Sequence, residues 1–213
     1  NSHMFDGSQL PLGENLRISA NLLSEVRELG VLFEFEIGTV GGEEDGINHL
    51  DTPRTRLYTT PADALAVADA LGLDDGYLLA ATFGNVHGHY APGHVHLRPE
   101  LLGELQIAVR QVHGGRGFAF VFHGGSGSTE DELAAAIRYG VVKVNVDTDM
   151  QLAFSKAVEN HFLYEKSERE ELVVDKSVYD PRTWGRQGEL AMADHVRRAC
   201  QLFGSAGRTL VRA

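Results

Sequence analysis

The chain has 213 residues, and its 19 Lys and Arg against 30 Asp and Glu give a net charge of −11. That length suits one domain or part of a larger one, and the negative charge argues against nucleic acid or an anionic membrane as the main partner. The single cysteine, Cys200, excludes an internal disulfide and fits a reducing, cytoplasmic compartment, and no apolar run reaches the ~18 residues of a membrane helix.

Strand-like and helix-like segments alternate along the chain. We interpret Ser2–Ser8 as the loop after a strand that precedes it. Four short apolar runs, bounded by glycine or charged residues, predict buried strands: Val31–Ile37, Tyr77–Phe83, Phe118–Phe122 and Val141–Val146. The segments around them predict helices: Glu14–Leu29, Pro61–Leu71, Pro99–Val112 and Glu130–Tyr139. Further on we predict a loop over Glu165–Val174 and a closing helix over Glu189–Phe203.

Apolar strands that alternate with helices predict a parallel sheet covered by helices. Two architectures fit this alternation, an open doubly wound sheet and a closed (β/α)8 barrel. No G-x-G-x-x-G motif follows the first apolar strand, which disfavours the dinucleotide-binding form of the open sheet.

Polar residues gather where the predicted strands end. Glu34 and Glu36 lie in the first strand, and the later strand ends carry Asn85, His87, His123, Asn145 and Asp147. In a parallel α/β fold these ends lie on one face, where active sites form. One such residue could be a helix cap, but four successive ends favour a functional site.

Two histidines at neighbouring strand ends predict a metal site. His87 and His123 are each followed by glycine, and neutral imidazole is a common ligand of Zn²⁺. Either histidine alone would be better explained as a hydrogen-bonded core residue. Glu36 strengthens the metal hypothesis, because a carboxylate inside an apolar strand needs a partner. Glu34 shares its strand face and is interpreted as a partner of a ligand or as part of a salt bridge.

Two glycine-rich loops flank the same strand ends. The segment Gly124–Ser128 leads into a predicted helix and exposes backbone N–H groups, which suits a phosphate without any basic side chain. The segment Gly41–Gly46 is predicted to be a flexible acidic loop. Its carboxylates form either a solvated charge cluster or a mobile general base that closes on the substrate.

Six stretches of the sequence resemble class II, metal-dependent fructose-bisphosphate aldolases, in the same order: Ser2–Ser8, Glu34–Gly46, Ala80–Gly88, Phe120–Ser128, Tyr139–Asp149 and Tyr179–Trp184. The motifs G-G-E-E-D-G and F-V-F-H-G-G-S-G-S point to the subgroup that mainly uses fructose bisphosphate. The resemblance implies an α/β fold of the (β/α)8 TIM-barrel type in a homodimer or larger assembly. It also implies that residues 1–213 are the C-terminal portion of one barrel domain, roughly half of it, with residues 185–213 as a closing helix.

The resemblance implies binding roles for individual residues. His87 and His123 match two of three catalytic zinc ligands, and Asp6 and Glu36 match a second, more buried divalent metal position. The matches to the site for the phosphorylated ketose and for a monovalent cation beside its phosphate are Gly88, Gly124, Gly125, Ser126, Asn145, Val146, Asp147, Thr148 and Arg182.

The implied reaction is the reversible cleavage of fructose 1,6-bisphosphate into dihydroxyacetone phosphate and glyceraldehyde 3-phosphate. Zinc would act as a Lewis acid on the ketose carbonyl, which stabilises the enediolate. Glu44, with Glu43 beside it, matches the acid/base carboxylate that protonates this enediolate. Asn145 would donate a hydrogen bond to the developing oxyanion.

The sequence departs from the family pattern in two ways. Ala91 stands where family members commonly carry a lysine that serves the phosphate region. The third zinc histidine and a neighbouring aspartate belong to an earlier part of the barrel, so we expect these 213 residues alone to be inactive. The alternative hypotheses are a truncated, non-catalytic barrel piece with a structural or metal-binding role, and another phosphosugar barrel enzyme.

Overall fold

The computed structural model of the chain describes residues 1–44, 47–48, 57–73, 76–87, 97–168 and 175–208. The strands are β1 Ser2–Asp6, β2 Leu32–Glu36, β3 Gly41–Glu44, β4 Ile47–Asn48, β5 Tyr77–Ala80, β6 Val86–His87, β7 Phe120–Phe122 and β8 Val141–Val144. The helices are α1 Leu12–Glu28, α2 Pro61–Leu71, α3 Pro99–Val112, α4 Glu130–Arg138, α5 Thr148–Glu168, α6 Lys176–Tyr179 and α7 Pro181–Leu202.

Five of these strands form one parallel sheet in the order β1-β2-β5-β7-β8. The order follows the chain without reversal, and the helices between the strands contact one another in chain order from α1 to α4. A doubly wound sheet reverses its strand order at a switch point, whereas a barrel adds strands in one direction. The described sheet therefore agrees with the barrel alternative.

The two faces of this sheet differ sharply in chemistry. One face packs aromatic and aliphatic side chains against the helices, in a core that includes Phe33, Phe35, Leu79, Phe120 and Phe122. The other face carries only a small apolar cluster, built around Leu78, Ala80 and Val121. Register places Glu34 opposite Leu78 and Glu36 opposite Ala80, so both acidic residues lie on this second face.

The parallel sheet is curved. Lys143 of β8 contacts Glu34 of β2. Three inter-strand spacings separate these two strands, so their backbones would lie about 14 Å apart in a flat sheet. Side chains stand roughly perpendicular to a sheet, so these two would not meet unless the sheet curled toward the face they share. Curvature in this direction is what closing a barrel requires.

Helix starts follow their sequence signals closely. Thr60 and Asp63 form a reciprocal capping box at the start of α2, and Thr129 and Glu132 form another at the start of α4. Each box satisfies backbone N–H groups that have no partner within the helix. The predicted bounds of α2 and α3 agree with the structure, and α4 differs from its prediction by one residue.

Four sequence predictions need correction. Ser2–Asp6 is strand β1, paired in parallel with β2, and not a loop. Gly41–Glu44 is also a strand, in a separate sheet of order β4-β3-β6, and not a loop, while Asp45 and Gly46 of the predicted loop lie outside the described residues. Helix α5 was not predicted, and it contains the first residues of the segment predicted as a loop. Helix α7 begins at Pro181 and ends at Leu202, so it starts earlier and ends sooner than the closing helix we expected.

The chain divides into two compact units, Asn1–Asn145 and Val146–Ala213. The first contains every strand that the structure describes. In the second, α5 packs on α7, and Gly188 makes the close approach possible because a Cβ at this position would lie 2.6 Å from the Phe154 ring. A single barrel domain over residues 1–213 stays a prediction. Across the described ranges, no helix is both long and apolar enough to cross a membrane.

Candidate functional site

His123 lies between two buried carboxylates at the carboxyl ends of the strands. Its Nδ1 is 2.9 Å from Glu36 Oε2, and its Nε2 is 2.9 Å from Glu34 Oε1. Glu34, Glu36 and His123 are each at most 5% exposed. The sequence brings them together because β2 and β7 flank β5 in a parallel sheet, so their carboxyl ends lie at the same edge, and their polar side chains share one sheet face.

Lys143 completes the charge of this cluster. Its Nζ lies 2.5 Å from Glu34 Oε2, so the two oxygens of Glu34 contact different cationic groups. A buried carboxylate pair is costly without opposite charge. Protonated His123 and Lys143 together balance Glu34 and Glu36.

The surroundings change the ionisation of two of these groups. Burial alone would lower the pKa of His123, but its hydrogen bonds to Glu34 and Glu36, and the charges of those carboxylates, raise the pKa to about 9. Burial alone would raise the pKa of Glu34, but hydrogen bonds to His123 and Lys143 hold it below its usual range. Both shifts favour the ion pair between the imidazolium of His123 and the carboxylate of Glu34.

Two buried asparagines hold the backbone around the cluster. Asn85 Nδ2 donates to the carbonyl oxygen of His123 at 2.9 Å, and its Oδ1 accepts from the backbone of Phe83. Asn15 of α1 donates to the carbonyl oxygens of Gly7 and Glu36, at 3.0 and 2.8 Å. Gly7 is required beside it, because a Cβ there would lie 2.4 Å from the Asn15 side chain.

The glycine-rich segment after His123 is tightly fitted to the neighbouring strand. Gly124 has a φ of +62°, and a Cβ at this position would lie 2.6 Å from the carbonyl oxygen of Val86. Ser126 is buried, and α4 begins at Glu130, four residues further on. The segment thus passes from the end of β7 to the start of a helix, as a phosphate-binding loop would.

The acidic segment Gly41–Glu44 pairs with the short strand that contains His87, the other histidine predicted as a metal ligand. Gly42 of β3 is the register partner of His87 of β6, while Glu43 and Glu44 continue β3 and pair with Asn48 and Ile47. The backbone therefore brings the two sequence motifs to one small sheet. Gly88 and Ala91, which the resemblance also singled out, lie outside the described residues.

Two further predicted residues of the first unit are exposed. Asp6 ends β1 opposite Glu36 in register, and its Oδ1 accepts from the backbone of Ser8 at 2.9 Å. Asn145 follows β8, and its backbone N–H donates to Phe122. The resemblance implies a more buried metal position at Asp6 and Glu36. In the structure Asp6 is exposed and Glu36 is buried.

The other predicted substrate residues belong to the second unit. Val146 precedes α5, Asp147 accepts from Gln151 at 2.9 Å, and Thr148 begins the helix. Arg182 binds Asp180 through both Nε and Nη2, at 3.0 and 2.6 Å. The hydrogen bonds from Arg182 lower the pKa of Asp180 to about 2.

The donor types in the cluster suit zinc, which binds imidazole nitrogen and carboxylate oxygen. Within the part of the chain that the structure describes, no three His, Cys, Asp or Glu residues are arranged as a metal site. Both ring nitrogens of His123 are already hydrogen-bonded. A metal at His123 would therefore replace one carboxylate contact, and the displaced carboxylate would remain beside it.

Sequence reasoning missed two residues of this site. Lys143 lies in a strand whose alternation does not reveal the face it occupies, and Asn15 lies in a helix far from the strand ends. Asn85 was named among the polar residues at the strand ends, but no role was predicted for it. Glu34 was interpreted as a partner of a ligand or part of a salt bridge, and the structure shows it contacting both His123 and Lys143.

Comparisons with known proteins agree with one another. The family model "Fructose-bisphosphate aldolase class-II" matches residues 1–208. The chain is similar to fructose-bisphosphate aldolases of Mycobacterium leprae and Streptomyces coelicolor, at 46% and 48% identity, covering 98% of this chain and 63% of each relative. It is also similar to a crystal structure of fructose-bisphosphate aldolase from Campylobacter jejuni, with a TM-score of 0.80 and 36% identity, covering 98% of this chain and 61% of that one.

The fold and the site together define an α/β protein of the barrel class, with its polar site at the carboxyl ends of a parallel sheet. The structural neighbours are class II aldolase TIM barrels. The chain belongs to the class II fructose-bisphosphate aldolase family. It spans about 63% of the length of the curated relatives that it matches.

Proposed function

We propose that the protein catalyses the reversible aldol cleavage of fructose 1,6-bisphosphate to dihydroxyacetone phosphate and glyceraldehyde 3-phosphate, a step of glycolysis and gluconeogenesis. The observation that supports this most directly is the buried Glu34–His123–Glu36 cluster at the strand ends of a class II aldolase chain. The whole protein, with the barrel segments outside this chain, is the unit to which the activity is assigned.

We assign a divalent metal, Zn²⁺, to His87 and His123, with a second divalent position at Asp6 and Glu36. When bound, zinc supplies Lewis-acid polarisation of the ketose carbonyl. The fit rests on donor chemistry, because imidazole and carboxylate are both zinc ligands. The carboxylate that contacts the metal-free ring nitrogen, Glu34 at Nε2 or Glu36 at Nδ1, would orient the imidazole of His123.

The chain's own residues would then bind the substrate and move its proton. The backbone N–H groups of Gly124, Gly125 and Ser126 bind a substrate phosphate at the entry to α4, with a monovalent cation beside it. The resemblance assigns Gly88 to the same site. The Asn145 amide donates a hydrogen bond to the oxygen on which negative charge develops. Glu44, assisted by Glu43, returns a proton to the carbon left by bond cleavage, or removes it in the reverse direction.

The remaining assignments concern the second unit and the assembly. Val146, Asp147 and Thr148 contribute to substrate binding, and Arg182 binds the far phosphate of a substrate held by another subunit. This last role implies a homodimer or a larger homo-oligomer. The single cysteine and the phosphorylated substrate support a cytoplasmic location.

Substitution of the proposed base tests this function. In the complete zinc-loaded enzyme, Glu44→Gln should slow hydrogen exchange at dihydroxyacetone phosphate by about 10²–10⁴-fold, because a positioned acid/base contributes that much. Zinc affinity, measured by chelator competition, should change little. Glu25→Gln, an exposed carboxylate of α1, is the matched control and should leave both quantities unchanged.

An unchanged exchange rate in Glu44→Gln would move the base role to Glu43 or Asp45. A complete protein that binds zinc but shows no turnover with fructose 1,6-bisphosphate would instead favour the non-catalytic alternative. Turnover with a different phosphosugar alone would favour another barrel enzyme.

A further inference from the structure

We propose that Lys143 is a positioning residue that fixes the Glu34 carboxylate and, through it, the imidazole of His123; this inference rests on the metal-dependent function proposed above. Lys143 Nζ lies 2.5 Å from Glu34 Oε2, and His123 Nε2 lies 2.9 Å from Glu34 Oε1. One carboxylate is thus held at both oxygens by different partners. Its rotation would break one contact or the other, so the two contacts together fix its plane.

The burial of Glu34 separates this contact from an ordinary surface ion pair. Exposed pairs contribute little because water screens both charges. Here the lysine reaches in from a partly exposed position, while the Glu34 side chain is 2% exposed. Without Lys143, Glu34 Oε2 would lose the ion pair that the structure shows, and His123 would be the remaining described cationic partner of this buried carboxylate.

The two carboxylates beside His123 are not equivalent. Glu34 contacts both His123 and Lys143, whereas Glu36 has His123 as its only side-chain partner within the described ranges. Glu34 is therefore the fixed neighbour of the ring, and Glu36 is the neighbour that can move without breaking a second contact. Lys143 creates this difference.

An irregularity in the sheet brings Lys143 to this position. Phe120 pairs with Val141, but the next residue, Val121, pairs with Lys143, so β8 contains one extra residue. In regular pairing Val142 would lie opposite Val121, and Lys143 would lie on the helix-facing side. Instead Val142 is exposed and Lys143 lies on the face of Glu34. Such bulges occur next to active sites, where they redirect a side chain.

A metal-ligating histidine depends on the group that holds its other nitrogen. Loss of such an outer partner typically weakens metal affinity by about 10–100-fold. Lys143 does not contact the ring itself, so its effect must pass through Glu34. We expect Lys143→Met to loosen the contact between Glu34 and His123, and Lys143→Arg to preserve it because a cation remains at the same place.

The experiment compares Lys143→Met and Lys143→Arg with Lys156→Met, which removes an exposed lysine of α5 as a matched control. Zn²⁺ affinity is measured by chelator competition, and the ring nitrogens of His123 are followed by NMR in metal-free, ¹⁵N-histidine-labelled protein. Their signals are assigned with His123→Gln. Lys143→Met should bind Zn²⁺ about 10–100-fold more weakly and shift the His123 signals, while Lys143→Arg restores both and Lys156→Met changes neither.

Unchanged affinity and unchanged His123 signals in Lys143→Met would overturn the proposal, as would a loss that Lys143→Arg fails to restore. If the unsubstituted protein binds no Zn²⁺, the proposed metal function fails separately. The His123 signals in the metal-free variants then decide the role of Lys143. If Lys143→Met does not fold, Lys143→Gln, which keeps a hydrogen-bond donor without the charge, is judged by the same two measurements.

Discussion

His123 forms hydrogen bonds with two buried carboxylates of the described sheet, Glu34 and Glu36. Its ring has a carboxylate at each nitrogen, and its pKa is raised to about 9 although burial alone would lower it. The raised value means that the folded chain holds the imidazolium more tightly than the unfolded chain does. A metal at the same ring would compete with that proton.

This shift predicts how stability depends on pH in the metal-free chain. The pKa of His123 is raised, so its contribution is fully present below pH 6.5 and is lost as pH rises through about 9. The lowered pKa of Glu34 gives a contribution that is present throughout this range, so Glu34 does not oppose the trend. We expect the urea concentration at the midpoint of unfolding of the metal-free chain to decrease as pH rises from 6 to 9.5.

Two variants separate His123 from other titrating groups. In His123→Gln the urea midpoint should change less between pH 6 and pH 9.5 than in the unsubstituted chain. In His113→Gln it should change as much as in the unsubstituted chain. If the urea midpoint of His123→Gln decreases with pH as steeply as that of the unsubstituted chain, the pKa of His123 is not raised as proposed.

At the scale of elements, the second unit depends on one close helix contact. Helices α5 and α7 pack with Gly188 facing the Phe154 ring, and Trp184 of α7 lies 6.2 Å from Phe162 of α5, measured between ring centroids. Trp184 is the only tryptophan of the chain. Its fluorescence therefore reports on the packing of these two helices.

Two glycine substitutions in α7 should have opposite effects. Gly188→Ala places a Cβ 2.6 Å from Phe154, and overpacking of this kind costs about 1–3 kcal/mol. Gly185→Ala meets no atom within 4 Å, and replacing a helical glycine by alanine stabilises by roughly 0.5–1 kcal/mol. Denaturation followed by Trp184 fluorescence measures both. A Gly188→Ala variant as stable as Gly185→Ala would contradict the close packing.

The elements that were predicted share strong local signals. The apolar runs around Leu79 and Val121 are buried strands, the run around Phe35 is a strand buried at all but its first residue, and the capping boxes at Thr60 and Thr129 identify helix starts. Strand β1 was not predicted because Ser2–Asp6 has only two apolar residues and is largely exposed, so its strand conformation depends on pairing with β2. Helix α5 was not predicted because its apolar residues form no clear stripe along Thr148–Glu168.

At the scale of the whole molecule, the candidate site was only partly predictable from sequence. His123 and Glu36 follow from polar residues at the ends of apolar strands, and the structure brings them within hydrogen-bond distance. Their roles as ligands stay predictions. The contribution of Lys143 was not predictable, because it depends on an extra residue in β8 that no local pattern reveals.

The described sheet also limits what these 213 residues can do by themselves. Five parallel strands are described, whereas a (β/α)8 barrel closes with eight, and the family relatives are longer than this chain. We expect the 213-residue polypeptide with added zinc to cleave fructose 1,6-bisphosphate at less than about one hundredth of the rate of a complete relative, because the resemblance assigns part of the acid–base machinery to an earlier part of the barrel. A coupled assay on material of confirmed mass measures this. Turnover near that of a complete enzyme would show the expectation to be wrong.

The separation of Glu34 and Lys143 along the chain has a consequence for how the protein is made. Neighbouring strands of the parallel sheet follow one another in sequence, so each can pair soon after it leaves the ribosome. The contacts of Glu34 span 89 residues to His123 and 109 residues to Lys143. Long-range contacts form slowly because a long loop must close first. During synthesis Glu34 and Glu36 are therefore both made before His123, their shared partner, and Glu34 gains its second cationic partner only after Lys143 of β8 has been translated.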